Sequence, residues 1–251
     1  LHPQAVHPGS QGLTRSYNIS LGTPLADQPI VRTALDLLAA AVAGKVEQAR
    51  LSQLLRNPQW SAGAAEADGR ALLDRALREE LEFLTTLPAL VRLARRHGNR
   101  HGLPLTRLIH DLDALLAARQ TAGPTRRPLS AWHAVFAQWL QALRWPGDRP
   151  LSSDEYQARQ ALLELLARHG PADDILGPVS ASEALRRLGQ LCRDRVFQAQ
   201  TRGQPALQVL GVLESGGLDF DALWVLGLND HVWPPPARPN PLLPAELQRR
   251  A

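Results

Sequence analysis

Residues 208–244 read QVLGVLESGGLDFDALWVLGLNDHVWPPPARPNPLLP, and this stretch decides the fold. It contains two short apolar runs, Val209–Leu213 and Ala222–Leu228, which carry valine, leucine and tryptophan and no charge. Runs of this length, bounded by turn residues, are typical of strands buried on both faces, as in parallel sheets. Between them, Glu214–Asp221 holds two adjacent glycines, where the backbone can turn sharply or approach a ligand. Neither a helix nor a central strand can directly follow Trp233–Pro236, because each proline removes a backbone donor and fixes φ.

This order of strand, glycine loop, strand and proline-rich end resembles motif V of UvrD-like superfamily 1 helicases. In that family a strand leads into a Thr-x-His…Lys-Gly-Leu-Glu-Phe loop, and a second strand ends in a Gly-Leu…Pro turn. Here Gly217-Leu218-Asp219-Phe220 takes the place of Gly-Leu-Glu-Phe, and Gly227 to Pro234 takes the place of the final turn. The stretch is most similar to the helicase-like halves of bacterial AddB-type proteins and related probable DNA repair proteins. Those proteins often carry a PD-(D/E)xK nuclease domain further along the chain.

A second resemblance lies near the other end of the sequence. Tyr17–Ser20 alternates in polarity and precedes Leu21–Pro24, which predicts a short strand and a turn. Asp27 is then the expected N-cap of a helix with Pro29 in its first turn, ending near Ala43. This strand, turn and helix resemble the motif IV region of the same helicases, just before their inserted helical subdomain. Two matches in the correct order support the resemblance more strongly than either one alone.

The residues between these segments, from Gly44 to about Thr201, have helical periodicity throughout. The predicted helices are Ala49–Asn57, Ala64–His97 with a break at Leu87-Pro88, Pro104–Arg119, Leu129–Leu143, Ser153–His169, and one from Ser180 or Ser182 to about Gln200. A helical block placed between two parts of a RecA-like sheet resembles the 2B-type insertion of UvrD-like helicases. The sequences Trp145–Arg149 and Ser153–Gln157 also resemble the corresponding region of the repair-associated proteins.

These resemblances imply an α/β fold that is predominantly helical, with a partial RecA-like parallel sheet interrupted by a large all-α insertion. Residues 1–43 would be the first part of a 2A-type RecA-like domain, and residues 44–204 the 2B-type insertion. Residues 205–251 would complete the domain and carry the motif V-like loop. The sheet should place the strand at Tyr17–Ser20 beside the strands that contain Val209 and Trp224.

Composition restricts the class of protein. The 251 residues are enough for one large domain or two medium domains, and their formal net charge is +4. Lys45 is the only lysine, so arginine supplies 27 of the 28 basic residues. This arginine content fits either a GC-rich genome or a phosphate-binding surface, and the small net charge favours the first explanation. No apolar run reaches membrane-spanning length and no signal peptide is visible, so a cytoplasmic location is expected.

Two further residues bear on the chain as a whole. Cys192 is the single cysteine, which excludes an internal disulfide and a cysteine-based zinc site, and its helical spacing predicts a buried thiol. Leu1 opens the chain and no methionine occurs in it, which predicts a segment of a longer protein.

No catalytic residue is expected anywhere in this sequence. A phosphate loop has the form GxxxxGK[ST], but Ala39 and Val46 break that pattern around Gly44-Lys45. A PD-(D/E)xK nuclease needs an acidic residue two positions before its lysine, and Ala43 stands there instead. Two acidic pairs, Asp154-Glu155 and Asp173-Asp174, do not follow apolar strands, so they are expected at helix starts or turns rather than in a Walker B motif.

The motif V-like loop departs from active helicases where polar groups would couple nucleotide to DNA. Gly211–Leu213 replaces Thr-x-His, and Gly216 replaces the lysine. Hydrogen bonding from those positions is lost, so coupled translocation is not expected even in the full protein. The resemblance places Gly217 and Asp219 near the nucleotide, since Asp219 replaces the glutamate that approaches the ribose. The alternative, which we favour, is that Asp219 and Asp221 only hydrogen-bond loop amides.

The remaining candidates are histidines and arginine pairs. His97 and His101 have i,i+4 spacing, but Gly98 and Gly102 favour a loop, and no metal site is expected. The arginine pairs fit phosphate contact, or the helix dipole where they follow helix ends; they are Arg95-Arg96, Arg126-Arg127, Arg186-Arg187 and Arg249-Arg250.

The sequence therefore predicts a non-catalytic, DNA-guiding or scaffolding region of a helicase-like DNA repair protein. Its expected partners are DNA, as single strands or duplex ends, and a partner helicase–nuclease subunit, with no membrane. No cofactor is expected to bind within this sequence. Two alternatives remain open: an active ATP-dependent helicase whose phosphate loop lies upstream, and a helical protein-interaction module that does not contact nucleic acid.

Overall fold

The structure, a computed structural model, describes residues 17–123, 126–167, 172–199, 207–229 and 245–248. These residues divide into two compact units, one within Leu1–Leu210 and the other within Gly211–Ala251. The predicted loop Leu1–Ser16 and the proline run Trp233–Pro236 lie outside the described residues.

The described part of the chain is predominantly helical, with ten α-helices and six short strands. The helices are α1 (Pro29–Val42), α2 (Gln48–Leu55), α3 (Ala67–Glu80), α4 (Leu87–His101), α5 (Thr106–Ala122), α6 (Leu129–Ala142), α7 (Ser153–Ala167), α8 (Ala172–Leu176), α9 (Ala181–Asp194) and α10 (Ala245–Gln248). The strands are β1 (Tyr17–Ile19), β2 (Thr23–Pro24), β3 (Val46–Glu47), β4 (Leu84–Thr85), β5 (Val196–Phe197) and β6 (Leu207–Val209). No described helix has the length and apolar character needed to cross a membrane.

The strand that precedes the helices pairs with a strand that follows most of them. β1 and β6 run parallel, with Tyr17 opposite Leu207 and Ile19 opposite Val209. Parallel strands cannot be joined by a tight turn, and here the connection contains the helical block. The predicted strand at Tyr17–Ser20 and its parallel pairing near Val209 are therefore confirmed.

Two antiparallel pairs accompany this parallel pair. β2 pairs with β5, so Thr23–Pro24 extends the contact between the incoming and outgoing chain instead of forming the predicted turn. The last large helix, α9, ends at Asp194 rather than near Gln200, because the chain then enters β5. β3 pairs with β4, which joins the start of α2 to the segment that leads into α4.

Helix α1 starts differently from the prediction. Asp27 belongs to a 3-10 turn, Leu25–Asp27, and Gln28 is the N-cap without a side-chain capping bond. Pro29 occupies the first turn as expected, where its missing N–H removes no intrahelical bond. The helix packs against α2, α6, α7 and α9, so it lies in the middle of the helical core.

The core is built from apolar faces that the periodicity predicts. On α6, Trp132, Phe136 and Trp139 are buried, and the ring centroids of Trp132 and Phe136 lie 5.8 Å apart. The Trp132 Nε1–H donates to the Val179 carbonyl at 2.9 Å, so the buried indole keeps a hydrogen-bond partner. Cys192 is buried, as predicted, and burial raises the pKa of its thiol to about 11.

Two helix ends, the C-terminus of α4 and the N-terminus of α7, differ from the prediction. α4 continues through His101 and ends at Gly102, whose φ of +62° gives a left-handed C-cap; the predicted loop at His97 is therefore wrong. For α7 the capping residue is Ser152 rather than Ser153. Its Oγ accepts from the Glu155 N–H at 3.2 Å, and Glu155 accepts from the Ser152 N–H at 2.9 Å, which is a capping box.

The unit within Gly211–Ala251 contains no strand among its described residues. The predicted strand Val209–Leu213 stops at Val209, and residues 212–214 form a turn. The prediction of a buried strand at Ala222–Leu228 is wrong, because that segment is irregular and exposed. A strand of this composition is stable only when neighbouring strands pair with it and layers cover both faces, and none of the described residues does so.

Candidate functional site

The loop that resembles motif V is held by short-range hydrogen bonds. The N–H groups of Glu214 and Ser215 both donate to the Gly211 carbonyl, at 3.1 and 3.0 Å. The Glu214 carboxylate accepts from the Gly211 N–H at 3.0 Å, and the Ser215 hydroxyl donates to the Val212 carbonyl at 2.9 Å. These bonds close one compact turn at the start of the loop.

Gly217 and Asp219 lie beyond that turn, on exposed backbone. Gly217 has a φ of +82°, a conformation that favours glycine, and the space around its Cα is open. Asp219 is exposed and makes no hydrogen bond to a described residue. Asp219 and Asp221 are predicted to accept hydrogen bonds from backbone amides of the loop. In the structure it is the Glu214 carboxylate that accepts such a bond, from the Gly211 N–H. Within this unit the two predicted residues share a loop but do not line an enclosed site.

A buried polar centre in the helical unit was not anticipated from the sequence. Arg70, on α3, is only 1% exposed, and its guanidinium lies 4.6 Å from the Trp60 ring centroid. Its Nε is 4.0 Å from Glu66, and no guanidinium nitrogen has a hydrogen-bond partner among the described residues. Burial lowers the pKa of Arg70 to about 10, although Glu66, Asp148 and Asp111 favour the charged form.

The carboxylates of this centre hold backbone and side-chain groups from several elements. Glu66 accepts from the backbone N–H groups of Arg107 at 2.7 Å and Leu108 at 3.0 Å, so it caps α5. Asp111 accepts from the Ser61 hydroxyl at 2.7 Å and from Arg144 Nε at 3.1 Å. The centre thus joins α3, α5 and the turn after α6.

The turn after α6 extends the same network towards α7. Asp148 accepts from the N–H groups of Ala64 and Ala65, each at 3.1 Å. Glu155 accepts from Arg149 at 3.0 Å and from Gln59 at 3.1 Å. The Arg149 hydrogen bond is the largest cause of a lowered pKa at Glu155. Each of these carboxylates accepts hydrogen bonds from groups on other segments, so the arrangement links those segments and stabilises the fold.

The acidic pairs and the histidines take structural positions. Asp154 and Glu155 lie in the first turn of α7, as expected, and Asp173 accepts from the Ser130 N–H at 3.1 Å. The rings of His97 and His101 have centroids 5.4 Å apart, and His97 Nε2 lies 2.5 Å from Glu80. The described residues contain no group of three side chains arranged to hold a metal ion.

Two of the arginine pairs are committed to structural contacts. Arg126 donates to the Pro178 carbonyl at 3.1 Å, and Arg127 lies 5.6 Å from the Trp132 ring centroid. Arg186 and Arg187 both contact Glu183, each at 2.7 Å.

The other two arginine pairs are Arg95-Arg96 and Arg249-Arg250. Arg95 and Arg96 are exposed on α4 and form ion pairs with Asp113 and Glu80. Arg249-Arg250 lies outside the described residues.

The sequence gives little indication of the buried polar centre around Arg70. Glu66 and Arg70 are four residues apart on one helical face, a spacing that is ordinary for exposed ion pairs. Asp111 and Asp148 come from distant segments, so nothing in the local pattern predicts that they meet.

Comparisons with protein-family models, with curated proteins and with solved structures find no match to this chain.

Proposed function

We propose that this chain is a DNA-guiding or scaffolding region of a helicase-like DNA repair protein, without catalytic chemistry of its own. The observation that carries the proposal is the parallel pairing of β1 with β6 around the helical block. In UvrD-like helicases the second RecA-like domain is interrupted by a helical insertion. The resemblance at Gly217–Phe220 supports the same assignment.

The parallel direction is what makes this pairing informative. A helical protein whose two chain ends simply met in a hairpin-like ribbon would pair them antiparallel, as β2 and β5 do. Parallel pairs belong to sheets whose strands are connected by crossovers, and they are normally covered on both faces. In β6, Leu207 and Val209 are exposed on one face, so the proposed domain needs a further layer packed on that face of the pair.

The non-catalytic part of the proposal follows from the loop chemistry. Gly211–Leu213 supplies no side-chain donor or acceptor where active helicases carry polar residues. Asp219 is exposed and has no cationic partner among the described residues. A carboxylate repels a phosphate group, so Asp219 alone cannot bind the phosphates of a nucleotide.

A second candidate function is a protein-interaction module that binds a helicase–nuclease subunit. It is favoured by the apolar side chains that the segment 212–228 exposes. Leu213 is 97% exposed, Trp224 86% and Leu226 81%. A concentration of exposed apolar residues in one segment is a common feature of surfaces that bind other proteins.

Fluorescence anisotropy with labelled forked and single-stranded DNA, at about 50 and 200 mM salt, separates the two candidates. DNA guiding predicts saturable binding that weakens steeply with salt, and no DNA-stimulated ATP turnover. Absence of DNA binding at the lower salt concentration would contradict the proposal and leave the interaction module. DNA-stimulated ATP turnover would contradict its non-catalytic part.

A further inference from the structure

Helix α4 has one buried apolar face and one exposed basic face. Its buried residues are Leu87, Leu90, Val91, Leu93 and Ala94. The opposite side, here named the α4 arginine face, consists of Arg92, Arg95, Arg96, Asn99 and Arg100, all exposed. These positions follow the order i, i+3, i+4, i+7 and i+8, which places them in one continuous row along the helix.

The charge of this helix is unusual for the chain. α4 contains four arginines and no carboxylate, and no other described helix has that composition. Two carboxylates from neighbouring helices reach the row: Asp113 contacts Arg95, and Glu80 contacts Arg96 at 3.0 Å. Among the described residues Arg92 forms no ion pair, and Arg100 interacts with Glu80 only at longer range than Arg96 does, so the row keeps an excess of positive charge.

We propose that the α4 arginine face contacts the phosphate backbone of duplex nucleic acid. This proposal rests on the proposed function and assigns its DNA contact to a particular surface. From Arg92 to Arg100 the helix rises about 12 Å. One strand of a duplex carries a charge about every 3.4 Å along the axis, so the row spans about three to four phosphates. The guanidinium fork matches the oxygens of a phosphate group and binds them in a bidentate manner.

The surface fits a duplex better than a membrane surface or a single strand. A membrane-binding basic helix inserts its apolar face into the lipid boundary, but the apolar face of α4 is buried in the protein core. Single-strand binding surfaces add aromatic side chains on which bases stack, and the α4 arginine face has none. Arginine clusters also recognise acidic peptides, so competition by poly-glutamate is used to separate that ligand from the duplex.

Glu80 allows a test in which a substitution should strengthen nucleic-acid binding. Glu80 holds Arg96 at 3.0 Å and also contacts His97. A phosphate has to replace this carboxylate on Arg96, so the ion pair competes with nucleic acid. Removing the Glu80 charge frees Arg96 and adds one positive charge to the face.

The test measures binding of the protein to a labelled 20-base-pair duplex by anisotropy over a range of salt concentrations. We expect Arg92→Gln/Arg100→Gln to weaken binding about tenfold and to reduce the salt slope by about 1.8, which is 0.9 for each lost phosphate contact. The matched control, Arg32→Gln/Arg50→Gln, removes the same charge from exposed positions on α1 and α2 and should leave the slope unchanged. Circular dichroism of each variant reports that the helices remain folded.

Glu80→Gln should tighten binding several-fold, whereas its control Glu79→Gln should not. Glu79 is exposed at the adjacent position and pairs with Arg75 rather than with an arginine of α4. Both substitutions remove one negative charge, so the two variants differ in which arginine loses its partner.

Three results would overturn the proposal while leaving DNA guiding intact. The first is duplex binding by the wild-type protein with equal slopes in the α4 and control variants. The second is tighter, α4-dependent binding of a single strand than of the duplex. The third is competition by poly-glutamate as effective as competition by the duplex at equal charge. If the wild-type protein does not bind DNA, the proposed function fails together with this assignment.

Discussion

The backbone N–H of Ser20 donates to the carbonyl of Val209 at 3.0 Å, across 189 residues of sequence. This bond continues the parallel register of β1 and β6 by one residue. Between the two residues the chain forms the whole helical core, so the contact closes a long loop whose entropy must be offset by the packing within it. The pairing therefore marks the place where the helical block joins the strands.

Arg70 should be essential to the stability of that block. Arg70→Ala removes a fully buried side chain that stacks on Trp60, and it leaves Glu66 without its buried counter-charge. We expect a loss of about 3–5 kcal/mol in the free energy of unfolding, measured by urea denaturation. Arg70→Met, which retains most of the volume, should cost clearly less. Equal losses in both variants would show that the charge, rather than the packing, carries the effect.

Glu155 should stabilise the fold in a pH-dependent manner. Its hydrogen bond from Arg149 lowers its pKa in the folded state, so folding favours the ionised form. The stabilisation is complete above the unfolded-state pKa, 4.5, and is lost as the pH falls through the lower folded-state pKa. Glu155→Gln should cost about 2 kcal/mol at pH 7, and the difference should shrink below pH 4.5. A difference in unfolding free energy that stays constant from pH 7 to pH 3 would contradict this account.

Gly147 should tolerate no side chain. Its φ is +97°, and an added Cβ would lie 2.5 Å from the Pro58 carbonyl oxygen. We expect Gly147→Ala to cost at least about 3 kcal/mol, because the left-handed strain and the backbone clash add. Gly177→Ala is the matched control, since its φ is +61° and its surroundings are open; it should cost about 1–2 kcal/mol. Similar melting temperatures for the two variants would contradict the close approach at Pro58.

Trp224 should be accessible to solvent. It is 86% exposed, whereas Trp132 and Trp139 are buried in the core. Iodide should therefore quench the Trp224 component of the tryptophan emission, and Trp224→Phe should reduce the quenched fraction. If the quenched fraction were unchanged in the variant, the segment Ala222–Leu228 would be covered, as its sequence predicts.

Some elements of this fold follow from local sequence patterns, and others depend on contacts between distant segments. Helices such as α6 follow from local periodicity, because the spacing of Trp132, Phe136 and Trp139 fixes one apolar face. The parallel pairing near Val209 could also be predicted, since it came with the resemblance to a known arrangement of strands.

What could not be predicted depends on partners that are distant in sequence. Ala222–Leu228 has the composition of a buried strand, but strand formation depends on neighbours that pair with it, and none of the described residues does. Glu66 and Asp111 look like ordinary helical surface residues in sequence, yet tertiary packing buries both beside Arg70. For His97, the adjacent glycine favoured a loop, but packing of the α4 apolar face outweighed that local cost.

The central claim, that the strands before and after the helical block lie side by side and parallel, is tested most directly by disulfide formation. The pair Tyr17→Cys/Leu207→Cys joins residues that are opposite in the parallel register, whereas Tyr17→Cys/Val209→Cys joins residues that would be opposite in an antiparallel one. The native Cys192 does not interfere, because it is buried and its thiol has a pKa of about 11. Under mild oxidation we expect the first pair to form the disulfide faster and in higher yield. Faster formation in the second pair, or no disulfide in either, would contradict the claim.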